Sequence, residues 1–176
     1  MSESYKIYND GLHFITMTVV GWLDVFTRRE YQDILIESFI YCQKNKNLKL
    51  YCYCIMPSHV HFIANSENGN LSEILRDLKS YTAKSIIKAI EENIQESRKE
   101  LLLHQFRYYG ANSQQKQTMQ FWQHHNHAFY LYSNEMIEQK MSYIHQNPVE
   151  EGFVCEPQDW RLSSANINSP LKMEEI

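Results

Sequence analysis

Hydrophobic and polar positions change rhythm along the chain, and each change marks an element. Residues 13–20 (His-Phe-Ile-Thr-Met-Thr-Val-Val) are β-branched and aromatic and predict a first strand. Apolar positions then recur at helical spacing through Ile34, Leu35, Ser38, Phe39 and Cys42, behind a Thr27-x-x-Glu30 capping-box pattern, so a helix is expected over 28–44. Residues 48–55 return to alternation, with Leu48, Leu50, Cys52 and Cys54 expected on one side. Pro57-Ser58 breaks that run, and 59–64 is expected to come back as a third strand antiparallel to the second, giving a β-α-β-β opening.

After the turn at Asn68-Gly69-Asn70, with Asn70 and Glu73 as expected caps, Ile74, Leu75, Leu78, Tyr81, Ile86, Ile87 and Ile90 predict a second helix. Residues 94–103 predict a short further helix, and the Gln-rich 110–119 a loop. Residues 121–123 and 128–131 read as two strands facing each other. Ser133 is placed to cap a last helix through Met136, Ile137, Lys140, Met141 and Ile144, which Pro148 should stop. No repeat or linker divides the chain, so a loose arm at 1–10, one domain at 11–165 and a tail at 166–176 are expected.

Two pairs of polar residues stand out from this apolar frame. His59 and His61 flank one apolar residue on a strand, so they emerge on one face with Cα atoms about 6.5–7 Å apart, close enough to share an ion. Tyr143 and Asn147 lie i, i+4 on the last helix, one turn apart, with a phenol standing beside an amide oxygen. His145 between them is expected on another, exposed face. Tyr108, Tyr109, Tyr130 and Tyr132 are rival nucleophiles, but none has a metal-capable partner one turn away.

Composition adjusts the picture modestly. With 176 residues, 43% hydrophobic and 22% charged, the chain is long enough to bury one sizeable core. Its four cysteines lack C-x-x-C spacing, which fits a reducing compartment. No leader and no bilayer-length apolar run is read, so a soluble, cytoplasmic protein without membrane partners is expected. The net charge of −4 argues against a broad nucleic-acid surface. Locally, however, Arg76, Lys79, Lys84 and Lys88 face only Asp77, a balance of +3, and no acidic residue occurs from 101 to 134. Together with the twelve tyrosines, that suits a groove tracking single-stranded nucleic acid. The His124/His125/His127 cluster lacks zinc-ligand spacing and reads as a loop or DNA-contact feature.

Met-Pro-Ser-His-Val-His at 56–61, followed by Tyr143-Ile144-His145-Gln146-Asn147-Pro148-Val149 and Gly152-Phe153-Val154, resembles the IS200-type single-tyrosine transposases. The closer likeness is to the branch associated with repetitive extragenic palindromes (REP), and it runs on to residues 159–165. The resemblance implies an α+β, ferredoxin-like HUH fold with a central antiparallel sheet flanked by helices. It also implies that His59, His61 and Asn147 hold Mg²⁺ or Mn²⁺. Tyr143 would attack single-stranded DNA, giving a 5′-phosphotyrosine and a free 3′-OH, on hairpins formed by palindromic repeats. The IS200-type resemblance implies a homodimer that shares active sites and the closer REP-associated likeness a monomer, so the oligomer stays open. Two departures accompany the likeness: Ser58 stands where the family more often has Asn, and Asn147 directly precedes Pro148. A binding module of the same fold without turnover, or a metallo-hydrolase using water, remain the alternative readings.

Overall fold

A computed structural model describes residues 11–124 and 126–176, with only the backbone of His127. The arm expected at 1–10 and His125 of the histidine cluster lie outside the described residues. The strands are β1 (Leu12–Thr18), β2 (Leu48–Ile55), β3 (His59–Ser66) and β4 (His127–Leu131). The helices are α1 (Arg29–Asn45), α2 (Leu71–Glu92), α3 (Lys99–Ala111) and α4 (Asn134–Glu150). The strands form one antiparallel sheet in the order β2-β3-β1-β4. That is the ferredoxin-like β-α-β-β-α-β arrangement, here with α4 added behind the last strand.

Alternation along the strands sorts the core into two layers. Ile15 and Met17 of β1 with Val60, Phe62 and Ala64 of β3 meet the apolar faces of α1 and α2, among them Leu35, Phe39, Ile74 and Leu78. On the opposite sheet face, Phe14, Cys52, Cys54 and Ile63 receive Ile137 and Ile144 of α4. α4 therefore occupies the face on which His59 and His61 emerge.

The second strand departs from simple alternation. Leu50 pairs with Ala64 but Cys52 pairs with Ile63, so Tyr51 is an extra residue in a β-bulge. The bulge reverses the parity of the rest of the strand: Leu48 and Leu50 face α1, whereas Cys52 and Cys54 face α4. The expected single-sided row of four is thus corrected.

Several expected ends also move. β1 stops at Thr18, because Val20–Trp22 turns through a 3₁₀ segment. The capping box does not form: Arg28 is the N-cap without a side-chain bond, and Thr27 Oγ1 donates to Asp24 O instead. Asn70 sits at the α2 N-cap, but its Oδ1 accepts from Ser66. The third helix starts at Lys99 rather than 94, because the preceding turn wraps a buried carboxylate. Glu96 accepts from Tyr31 Oη and the Arg98 N–H and pairs with Arg28 Nε at 2.6 Å.

Residues 121–123 make no strand against 128–131. Trp122 forms an isolated bridge to Val19, and β4 pairs with β1, closing an edge that would otherwise expose unpaired backbone. Pro148 does not stop α4. The helix continues to Glu150 and ends in a Schellman motif, with Gly152 at φ +75°, Phe153 N donating to Pro148 O and Gly152 N to Val149 O.

The stretch expected as a tail is fastened to the sheet. Leu171 is buried in the core, Glu174 N donates to Leu50 O at 2.7 Å, and Ser169 Oγ meets Tyr53 Oη at 2.8 Å. No helix among the described residues is long and apolar enough to cross a membrane.

Candidate active site

β3 presents His59 and His61 side by side, their ring centroids 4.6 Å apart and both buried. A hydroxyl holds each ring at its Nδ1. Thr16 Oγ1 of β1 lies 2.8 Å from His61 Nδ1, and Ser58 Oγ lies 3.1 Å from His59 Nδ1. An Nδ1–H donated to such a hydroxyl leaves the Nε2 lone pair available on both imidazoles. Ser58 therefore orients His59. Burial lowers both pKa values. His61 falls to about 3, helped by neighbouring His59 and then by the Lys140 charge. Both rings are accordingly neutral at physiological pH, as ligands must be.

α4 brings the other half. Ser133 caps it by accepting from Met136 N, and Ile137 and Ile144 seat it on the sheet. Tyr143 then stands over Phe14 and His61, with ring centroids 6.0 and 5.3 Å away. It remains 39% exposed, open to a substrate. Burial, then Glu150 and Glu151, raise its pKa, so the phenol is protonated at neutral pH and needs activation.

Asn147 lies beside His59, where its amide partly offsets the effect of burial on that ring. It is 6% exposed, and its Oδ1 makes no well-directed hydrogen bond, the His59 ring being the polar group it approaches. A buried carbonyl oxygen left unpaired costs about 1–3 kcal/mol, and beside two imidazoles it is where a cation would fit. Two neutral nitrogens and an amide oxygen carry no net charge, so a bound ion would keep its full charge for a phosphate. Among the described residues no three His, Cys, Asp or Glu gather for a metal; in this arrangement the third donor would be an amide.

Sequence reasoning missed three members of this neighbourhood. Lys140, one turn before Tyr143, places Nζ 4.9 Å from the Phe14 ring centroid, 5.8 Å from that of Phe129 and 5.5 Å from that of Tyr143. Its i, i+3 spacing from Tyr143 was the available signal. Trp22 touches His59 edge-on, centroids 5.4 Å apart, and no spacing in the sequence announces it. His145 is not the exposed residue expected: its Nε2 lies 2.8 Å from Ser164 Oγ and 3.2 Å from Cys52 Sγ. It ties α4 to β2 and to the C-terminal segment.

The basic strip is not brought to this face. Arg76, Lys79, Lys84 and Lys88 line a cleft of about 780 Å³ between α2 and residues 115–126, in the other helical layer. Lys79 points inward and donates to Gln123 O and Asn126 Oδ1; burial lowers its pKa to about 8. Arg76 pairs with Asp77 and Lys88 with Glu92, while Lys84 has no ion pair among the described residues. Of the histidine cluster, His124 is exposed at the cleft rim, and His127 opens β4 opposite Thr16.

The antiparallel ferredoxin-like sheet with two paired histidines, faced by a tyrosine on an added helix, is the arrangement that the sequence resemblance implied. The family model described as "Transposase IS200 like" matches residues 8–147, and the chain belongs to that family. It is a transposase acting on single-stranded DNA, of the HUH type that His59-Val60-His61 spells out. A solved REP-associated tyrosine transposase bound to a REP hairpin shares the fold. That match has a TM-score of 0.67 and 18% identity and covers 93% of this chain and 82% of that one. A putative transposase from Deinococcus radiodurans aligns at 15% identity over 76% of this chain and 87% of its own, with a TM-score of 0.45. No curated protein sequence matches.

Proposed function

We propose that this transposase belongs to the REP-associated branch and cleaves and rejoins single-stranded DNA at hairpins of palindromic repeats, with Tyr143 as nucleophile. The observation that carries the reading is the meeting of Tyr143 with His61 at 5.3 Å beside the unpaired, buried Oδ1 of Asn147. His59, His61 and Asn147 would hold Mg²⁺ or Mn²⁺. When bound, the ion supplies Lewis-acid polarisation of the phosphate.

The protein's own groups do the rest. Phe14 and His61 hold the phenol on the histidine face, and Tyr143 Oη forms a bond to phosphorus as the P–O3′ bond breaks. Tyr143 gives up its proton and the leaving 3′ oxygen takes one up. The product is a 5′-phosphotyrosine, and the number of phosphoester bonds is unchanged. The released 3′-OH reverses the step without ATP. Lys140 adds a positive charge on the sheet side of Tyr143. Because one chain supplies all four side chains, the chemistry needs no second copy. The cleft along α2, where Lys84 has no ion pair among the described residues, suits DNA running on past the sheet edge.

The test is incubation with a single-stranded hairpin carrying a repeat stem and Mg²⁺ or Mn²⁺, resolved on denaturing gels. A covalent adduct lost in Tyr143→Phe supports the reading. Cleavage that survives Tyr143→Phe without adduct points to a metallo-hydrolase, and binding without cleavage under either ion points to a binding module.

A further inference from the structure

Trp22 is an anomaly of exposure and of backbone. Its side chain is 61% exposed, whereas Trp122 is 4% exposed and Trp160 is tied through Nε1 to Ile55 O. It adopts φ +54° directly after Gly21 at φ +63°, a left-handed pair in which only the first residue is glycine. A bulky aromatic is a poor choice for such a turn, since glycine or asparagine takes that backbone without penalty. The turn is held firmly all the same. Val19 N donates to Ser58 O, Phe26 N to Pro57 O and Val20 N to Phe121 O. The loop is thus stitched to the Pro57-Ser58 turn that launches His59, and the indole packs against the His59 ring in a T-shaped pair. Strain kept where the surroundings over-determine it points to use of the side chain.

The neighbourhood narrows the ligand. Trp22 carries no charge to hold a phosphate, and Asp24 two residues on adds a negative one. A nucleobase is uncharged, flat and able to stack on any exposed indole. We propose that Trp22 is a stacking platform for a base of the single strand beside the scissile phosphate, on the His59 side of the site. The proposal rests on the transposase reading above and adds to it the residue that holds the strand next to the bond being broken.

The experiment uses the full chain in a Tyr143→Phe background, which blocks chemistry, with the hairpin substrate whose cleavage position the Tyr143 adduct has mapped. Indole fluorescence should be quenched on binding, and the quench should disappear in Trp22→Gly. That variant should fold at least as well as the parent by thermal unfolding, because glycine accepts φ +54°. Affinity should fall roughly 5- to 150-fold, the loss of one base stack. An abasic nucleotide at one of the two positions flanking the scissile phosphate should weaken the Trp22 protein by the same factor and leave Trp22→Gly unaffected. A quench that persists in Trp22→Gly, or abasic losses equal in both proteins, would overturn the platform. Failure of the Tyr143-intact chain to form any adduct would instead sink the transposase reading, so the two failures are separable.

Discussion

Replacing Asn147 by leucine should stabilise the metal-free protein while removing its response to metal. The wild-type side chain buries an oxygen with no partner, which costs about 1–3 kcal/mol. Leucine has a similar length and needs no hydrogen-bond partner. At about 2–4 °C per kcal/mol for a chain of this size, the metal-free Tm of Asn147→Leu should lie about 2–12 °C above wild type. With Mn²⁺ at a hundred times its dissociation constant, the wild type should gain about 2.7 kcal/mol by mass action and close most or all of that gap, while the Tm of the variant should barely move. Differential scanning calorimetry with and without Mn²⁺ reads all four values without reference to catalysis. A variant that is less stable than wild type without metal yet keeps the full Mn²⁺ shift would refute both the unpaired oxygen and its role as a ligand.

Three further outcomes are expected. Lys140→Met, which keeps the stem and removes the charge, should slow cleavage about 10- to 1,000-fold with little change in Tm; an unchanged single-turnover rate would remove Lys140 from the site. Lys79 has a folded pKa near 8 against 10.5 when unfolded, so between those values the unfolded chain binds more protons and the folded state gains stability as pH rises. The stability of wild type relative to Lys79→Met should therefore climb by up to about 3 kcal/mol from pH 8 to 10.5 in urea melts, and a flat difference would contradict the buried ammonium. His145→Ala should cost about 1–3 kcal/mol by loosening α4 from Ser164 and Cys52, and should lower kcat more than hairpin affinity; loss of affinity alone would assign His145 to DNA contact.

Local periodicity carried much of this protein by itself. The strand period of two is enough to put His59 and His61 on one face with Val60 and Phe62 on the other. The helical repeat is likewise enough to put Tyr143 and Asn147 one turn apart. Ser133 caps α4 as its residue type predicts. These are properties of neighbouring residues, and no distant contact competes with them.

Features that depend on distant partners were settled only by packing. One extra residue at Tyr51 turned Cys52 and Cys54 towards α4, because the register of β2 is set by its pairing with β3. Pro148 stayed inside α4 because the Gly152 turn, rather than the lost N–H, sets where the helix ends. Residues 166–176 joined the core through Leu171, which no local pattern marks. The basic residues of α2 share a helix face, but the layer that helix joins is a tertiary choice, and it lies on the far side of the sheet from Tyr143. Which half-sites exist was thus legible along the chain. That Tyr143, Lys140, Trp22 and Asn147 all converge on the same two histidines is due only to α4 and the 19–26 loop folding back onto one sheet face.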